Sequence, residues 1–172
     1  MKRFRQIILS SCLLLSVAFL LSGCWIYTFS GTSIKPDVKT ICIEPVTNKA
    51  LKINPSLANS LQEALHDKFK QLTSLKEVEM DGDLSLVVSI TSYDVRATAI
   101  TVNEVAAQNR LTVTTKVKFD NFKHPEESFE NNFAAYQDYN SENSLDAVEA
   151  TLCDEIVKTL VENIFNASVA QW

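Results

Sequence analysis

The residue with the clearest chemistry in this chain is Cys24, because of what precedes it. The stretch Leu21-Ser22-Gly23-Cys24 follows Lys2, Arg3 and Arg5 and an apolar run from Ile7 to Leu21. A basic start, an apolar middle and small residues before a cleavage point make a bacterial export signal. A cysteine directly after Leu-Ser-Gly makes it the lipoprotein version, in which the thiol is acylated, the preceding segment is removed and Cys24 becomes the first residue. The competing reading is a membrane span, but the apolar run falls short of the ~20 residues a span needs. The expected organisation is a signal peptide over 1–23, a lipidated leader over 24–37 and one domain over 38–172. Several acyl chains (palmitate among them), each adding about 0.8 kcal/mol per buried CH₂, anchor a protein without a spanning helix.

The remaining reactive side chains are few. After the signal the chain has two histidines, His66 and His124, and two further cysteines, Cys42 and Cys153. No His-x-x-x-His or Cys-x-x-Cys occurs, so a zinc site has no support in the spacing. His124 with Glu126 and Glu127 is a weak metal candidate, set against a plain solvated turn. Neither cysteine has a charged setting that would make a thiolate. The compartment permits a disulfide between them; two free thiols are the alternative. Only Gly31 and Gly82 remain after the signal, so no glycine-rich phosphate loop can be built. The expectation is a non-enzymatic protein with no cofactor beyond the covalent lipid on Cys24.

A binding signal is present in Arg110, Lys116 and Lys118, which fall on one face of an alternating run, with Arg96 nearby in sequence. Such a stripe suits an anionic ligand such as a lipid A phosphate. The alternative is a solvated sheet face balanced by acidic neighbours such as Glu130. The signal carries three of the 16 Lys+Arg and none of the 21 Asp+Glu, which leaves 13 basic against 21 acidic residues and a net charge of −8. That excess excludes a general nucleic-acid binder. The 149 residues after the signal suit one domain with a core.

The elements that must position these residues follow from periodicity. Val38–Glu44 reads as a strand stopped by Pro45, with Cys42 on the opposite face from Ile41 and Ile43. Asn54-Pro55 opens a helix whose stripe is Leu57, Leu61, Leu65, Phe69 and Leu72. Leu84, Leu86, Val88 and Ile90 alternate after Gly82-Asp83, and Leu111, Val113, Thr115, Val117 and Phe119 form the cleanest alternation in the chain. A turn around Pro125 leads to a third β segment over 128–139, with Phe129, Phe133 and Ala135 on one face. The last element is a helix over 145–169 with the stripe Leu145, Val148, Leu152, Ile156, Leu160 and Ile164. Two apolar helical stripes and one apolar sheet face specify an α+β fold, with two helices packed on one face of a four-stranded, mainly antiparallel sheet. In the leader, Trp25, Tyr27 and Phe29 recur at every second residue, suited to the membrane interface or to packing on the domain.

The ordered residues also resemble a known family. The run Cys24-Trp-Ile-Tyr-Thr-Phe-Ser-Gly-Thr-Ser-Ile34, then Pro36-Asp-Val-Lys-Thr-Ile41, is similar to the start of lipopolysaccharide-assembly lipoproteins of the LptE family, Bacteroidetes type. The likeness continues through Asn54-Pro55, Glu63-Ala-Leu-His-Asp-Lys-Phe69, Asp81-Gly-Asp-Leu84, Tyr93-Asp-Val95, Asn109-Arg-Leu-Thr-Val113 and Ile164-Phe-Asn-Ala-Ser-Val-Ala-Gln-Trp172. The resemblance implies an outer-membrane lipoprotein on the periplasmic face, plugging and supporting the LptD β-barrel that inserts lipopolysaccharide into the outer leaflet. It also implies two helices on a four-stranded sheet. Basic loop residues contact lipopolysaccharide in the family; Ala97–Asn109 here has no Lys or Arg, so Arg96, Arg110, Lys116 and Lys118 are the candidate contacts. Trp25 after the cysteine, without a following acidic run, fits the periplasmic face. A different expectation for a small tethered α+β lipoprotein is a periplasmic activator of a cell-wall synthase, and a third is an enzyme acting on envelope polymers.

Overall fold

A computed structural model describes residues 34–52, 54–98 and 108–169. The signal, Cys24, the aromatic leader and the centre of the segment after Ala97 lie outside them. The first strand, β1 (Thr40–Ile43), is followed by β2 (Thr47–Asn48), α1 (Leu57–Leu72) and β3 (Lys76–Glu77). Then come β4 (Leu84–Thr98), β5 (Gln108–Asn121), a 3-10 turn at Pro125–Glu127, β6 (Phe129–Asn140) and α2 (Leu145–Val169). The sheet order is β3-β1-β4-β5-β6, with β2 also paired to β4. β4, β5 and β6 form an antiparallel meander, whereas β1 pairs in parallel with both β3 and β4. The helices pack on one face, as expected for the α+β class.

Six strands stand where four were expected. The two additions, β2 and β3, have two residues each, too short to carry a period-2 signal. β2 resumes the pairing along β4 that Pro45 interrupts, since Pro has no N–H to give the ladder. Gly82 lies in the connection from β3 to β4, tight against β1. A Cβ there would lie 2.7 Å from the backbone of Cys42 and of Leu84. The preceding Asp81 takes the left-handed conformation at φ 54°. Asp83 then secures the junction: its Oδ2 accepts from the Lys39 and Thr40 amides at 2.9 and 3.1 Å, and its own amide donates to Thr40 Oγ1.

The core follows the alternation. Leu84, Leu86, Val88 and Ile90 of β4 and Leu111, Val113, Thr115, Val117 and Phe119 of β5 are buried. The buried Thr115 hydroxyl donates to the Phe133 carbonyl at 3.2 Å. At Thr91 the register slips by one residue, Ile90 pairing with Thr115 but Ser92 with Thr114. This bulge flips the phase of β4, so Tyr93 rather than Ser92 enters the core.

Leu57, Leu61, Leu65 and Phe69 of α1 and Leu152, Ile156, Leu160 and Ile164 of α2 are buried against this face. Phe69 and Phe165 meet edge to face at 5.1 Å. Asn54, the expected cap, stands two residues ahead of the N-cap Ser56, and Pro55 lies before the first helical residue; Asn54 Oδ1 nonetheless accepts from the Ser56 and Leu57 amides. Leu72 is 47% exposed and leaves the stripe. The chain turns out of the helix at Thr73, whose amide and hydroxyl both bond to the Phe69 carbonyl. Among the described residues, no helix is long and apolar enough to cross a membrane.

Candidate functional site

The same alternation that buries the core sends the opposite residues of β4, β5 and β6 to the uncovered face of the sheet. Arg96 (β4) and Arg110, Lys116 and Lys118 (β5) all lie there. Arg96 and Arg110 stand directly opposite each other in the β4–β5 register. From Arg110 to Lys118 the stripe runs about 27 Å at ~3.4 Å per residue. Four cations therefore share one face, but they do not converge on one pocket.

Each cation has a carboxylate partner. Arg110 makes a two-pronged contact with Asp138, Nε to Oδ1 at 2.7 Å and Nη2 to Oδ2 at 2.8 Å, and its guanidinium stacks over the Tyr136 ring at 3.8 Å. Lys116 pairs with Glu130 at 2.6 Å, Lys118 with Asp120 at 2.6 Å, and Arg96 with Asp94 two residues back on its own strand. Donating to Asp138 raises the Arg110 pKa, and accepting from Arg110 lowers that of Asp138. Asp120 raises Lys118 in the same way, and Lys116 lowers Glu130.

The stripe is thus a charge ladder, not a bare cationic patch. An anion binding here must compete with, or share, the carboxylate partners. Arg96 is the most available, with 84% of its side chain exposed. The expected balancing acid, Glu130, is in place, but Asp94, Asp138 and Tyr136 were not foreseen. The signal was present: Tyr136 and Asp138 share a face of β6, and the hairpin register puts Asp138 opposite Arg110.

The other reactive residues serve structure. His66 Nδ1 lies 2.6 Å from Glu77, linking α1 to β3. His124 Nε2 lies 3.0 Å from Asp37, and Lys35 lies 2.7 Å from Glu127, so the turn after β5 grips the chain ahead of β1. Contact with His124 holds the Asp37 carboxyl below its ordinary range. Asn121 organises this turn. Its buried Oδ1 accepts from the Lys123 and His124 amides, and its Nδ2 donates to Glu127. No group of three or more His, Cys, Asp or Glu among the described residues is placed to hold a metal.

Cys42 and Cys153 are both free thiols. Cys42 sits on the uncovered side of β1 and donates to the Glu79 carbonyl at 3.2 Å, while Cys153 is buried in α2 beneath the sheet. Burial pushes both thiols upward in pKa, away from reactive thiolate. Cys153 belongs instead to a polar junction: Asn54 Nδ2 donates to its sulfur at 3.8 Å, and Tyr93 donates to Glu149. Burial is the first cause of the raised Tyr93 pKa, followed by its bond to Glu149.

Comparison with solved structures places this architecture. A hypothetical protein from Chlamydia trachomatis, CT253, superposes with a TM-score of 0.50 at 8% identity, covering 76% of this chain and 98% of its own. A Helicobacter pylori protein, described as a homolog of a neuraminyllactose-binding hemagglutinin, gives 0.52 at 10% identity, covering 80% and 87%. At these identities the likeness is one of fold. Among curated protein sequences, none matches significantly. The sequence profile of the LptE lipopolysaccharide-assembly family, however, matches residues 38–168. With its strands, both helices and the charged sheet face inside that match, the chain belongs to the LptE family of lipopolysaccharide-assembly lipoproteins.

Proposed function

We propose that this protein is an outer-membrane lipoprotein that plugs and supports an LptD-type β-barrel during lipopolysaccharide transport and insertion into the outer leaflet. The observation that carries this reading is the family match across residues 38–168. Physics supports it: the lumen of a large barrel is polar, so a plug needs a soluble, polar exterior around its own core. Here the core is contained between the helices and one sheet face, and the other face, apart from Val87 and Ala134 among its strand residues, carries mostly hydroxyls, amides and paired charges.

In this reading residues 1–23 are removed, Cys24 is lipidated, the leader 24–37 tethers the domain 38–172 to the periplasmic face of the outer membrane, and no catalytic step is involved. Arg96, Arg110, Lys116 and Lys118 are the proposed contacts for lipopolysaccharide phosphates, exchanging a carboxylate partner for a phosphate oxygen. Guanidinium suits this because its fork matches two phosphate oxygens at once.

The test is gentle detergent co-purification of the tagged mature protein from its native outer membrane, with mass spectrometry of what accompanies it. A stoichiometric large β-barrel protein is the expected result. A peptidoglycan synthase in its place would move the protein to the activator class.

A further inference from the structure

The two edges of the sheet differ in kind. β3 closes one side with two residues, Lys76–Glu77, in parallel pairing. β6 forms the other side with 12 residues, Phe129–Asn140. The phase of its backbone follows from two hydrogen bonds at the turn. The Asn121 amide points toward β6, donating to Ser128 Oγ, and the Phe122 amide points the other way, donating to the Asp83 carbonyl. The backbone groups of odd residues in β5 therefore face β6, and the register pairs them with odd residues of β6 without a slip. The even residues Glu130, Asn132, Ala134, Tyr136 and Asp138 turn their N–H and C=O groups outward, along about 27 Å at ~3.4 Å per residue. None of these groups has a partner among the described residues.

Nothing guards this edge. Free edges are ordinarily blunted by Pro, by Lys, by a bulge or by unpaired charge. β6 contains no Pro, Gly or Lys and no bulge. Its two carboxylates are already neutralised, Glu130 by Lys116 and Asp138 by Arg110. On the helix side Phe129 and Phe133 are only half-buried and Asn131 is exposed, so α2 does not close over the strand.

We propose that this edge pairs with itself: a second copy of the chain adds its β6 antiparallel to the first, about a two-fold axis at Ala134. The free stretch from Glu130 to Asp138 is centred on that residue. In this register Ala134 meets Ala134 of the second copy, Asn132 meets Tyr136, and Glu130 meets Asp138, each carboxylate bringing its own cation. On the helix side Phe133 meets Ala135, Asn131 meets Gln137 and Phe129 meets Tyr139: large beside small, amide beside amide, ring beside ring. Each pair of outward residues exchanges both of its backbone hydrogen bonds, so no outward group from Glu130 to Asp138 is left unsatisfied. The assembly closes as a dimer and does not grow into a filament, because β3 is too short to receive β6 head to tail. The inference goes beyond the plug reading and concerns the protein free of a barrel.

The test uses the full lipidated chain in density-matched detergent over a range of concentrations. Sedimentation equilibrium gives its mass, and hydrogen exchange resolved to single amides reads the edge. A dimer is expected, with the Asn132, Ala134 and Tyr136 amides slowing severalfold as it forms while those of Asn131, Phe133 and Ala135, bonded to β5, do not change. Ala134→Pro removes one outward donor and spares the β5 ladder, a substitution that edge strands admit, and should weaken dimerisation severalfold. Ala134→Cys, read in the intact envelope on non-reducing gels, should give a disulfide-linked dimer, since paired residues ~5.5 Å apart lie within disulfide reach. Met80→Cys, at a position 76% exposed, should not. The cysteine arm decides the matter even where the proline variant fails to fold. A monomer at every concentration, a dimer whose outward amides exchange freely, or outward protection that ignores concentration overturns the inference. Protection that appears only when a barrel protein co-purifies overturns it too, and gives the edge to a foreign strand.

Discussion

The two faces of β5 carry opposite chemistries on one backbone. On the inner face Leu111, Val113, Thr115, Val117 and Phe119 are buried; on the outer face Arg110, Lys116 and Lys118 stand in solvent, each with a carboxylate. The inner residues are held by packing, which has no substitute if one is removed. The outer residues are held by pairs that water and salt can replace. Stability therefore resides on one side of the sheet, while the other is free to be selected for binding.

Substitutions separate the two faces. Phe119→Ala, at a buried ring stacked 5.4 Å from Phe129, is expected to cost about 3–5 kcal/mol, measured by urea denaturation. Gly82→Ala comes next. Its new Cβ meets backbone atoms that cannot swing aside, and a loss above about 2 kcal/mol is expected, toward the upper range of single substitutions. A near-neutral melt would show that the junction with β1 can relax.

Asn121→Ala leaves the amides of Lys123 and His124 without their acceptor and should cost about 1–3 kcal/mol. It should also speed amide exchange in the turn. By contrast, Thr112→Ala on the outer face should stay within about 0.5 kcal/mol. Joint replacement of Arg96, Arg110, Lys116 and Lys118 by Gln should leave the far-ultraviolet spectrum intact while weakening lipopolysaccharide binding more than about tenfold, equivalent to 1.4 kcal/mol. Unchanged binding would assign the stripe to solvation alone.

The smallest effect is a pH dependence. Backbone donors hold the Asp83 carboxyl below its ordinary range, and His124 does the same for Asp37. A carboxyl depressed in the folded state stabilises above its unfolded pKa, and that stability is lost as pH falls through the folded value. Asp83→Asn should therefore flatten the loss of stability seen below the ordinary aspartate range, leaving the neutral-pH slope unchanged. An unaltered acid limb would show that the Lys39 and Thr40 contacts carry no titrating free energy.

Much of this architecture is legible in the chain because it depends on short-range period. The alternation in β5, the stripes at Leu57–Phe69 and Leu152–Ile164, and the Asn54 turn that leads into α1 each depend on neighbours a few residues away. The same rule placed three of the four candidate cations on one face of β5. Leu72 marks where it stops working: the helical stripe continues in sequence, but Thr73 has already turned the chain away.

By itself, the sequence determined the class of fold and the division of each strand into an apolar and a polar side, because periodicity and local chemistry act within one segment. Tertiary structure alone decided the rest. It placed β2 and β3, flipped the phase of β4 at Thr91, set Cys42 and Cys153 on opposite sides of the sheet, and gave each cation its carboxylate. Each depends on the register between distant segments, which the whole core sets at once and no single segment encodes.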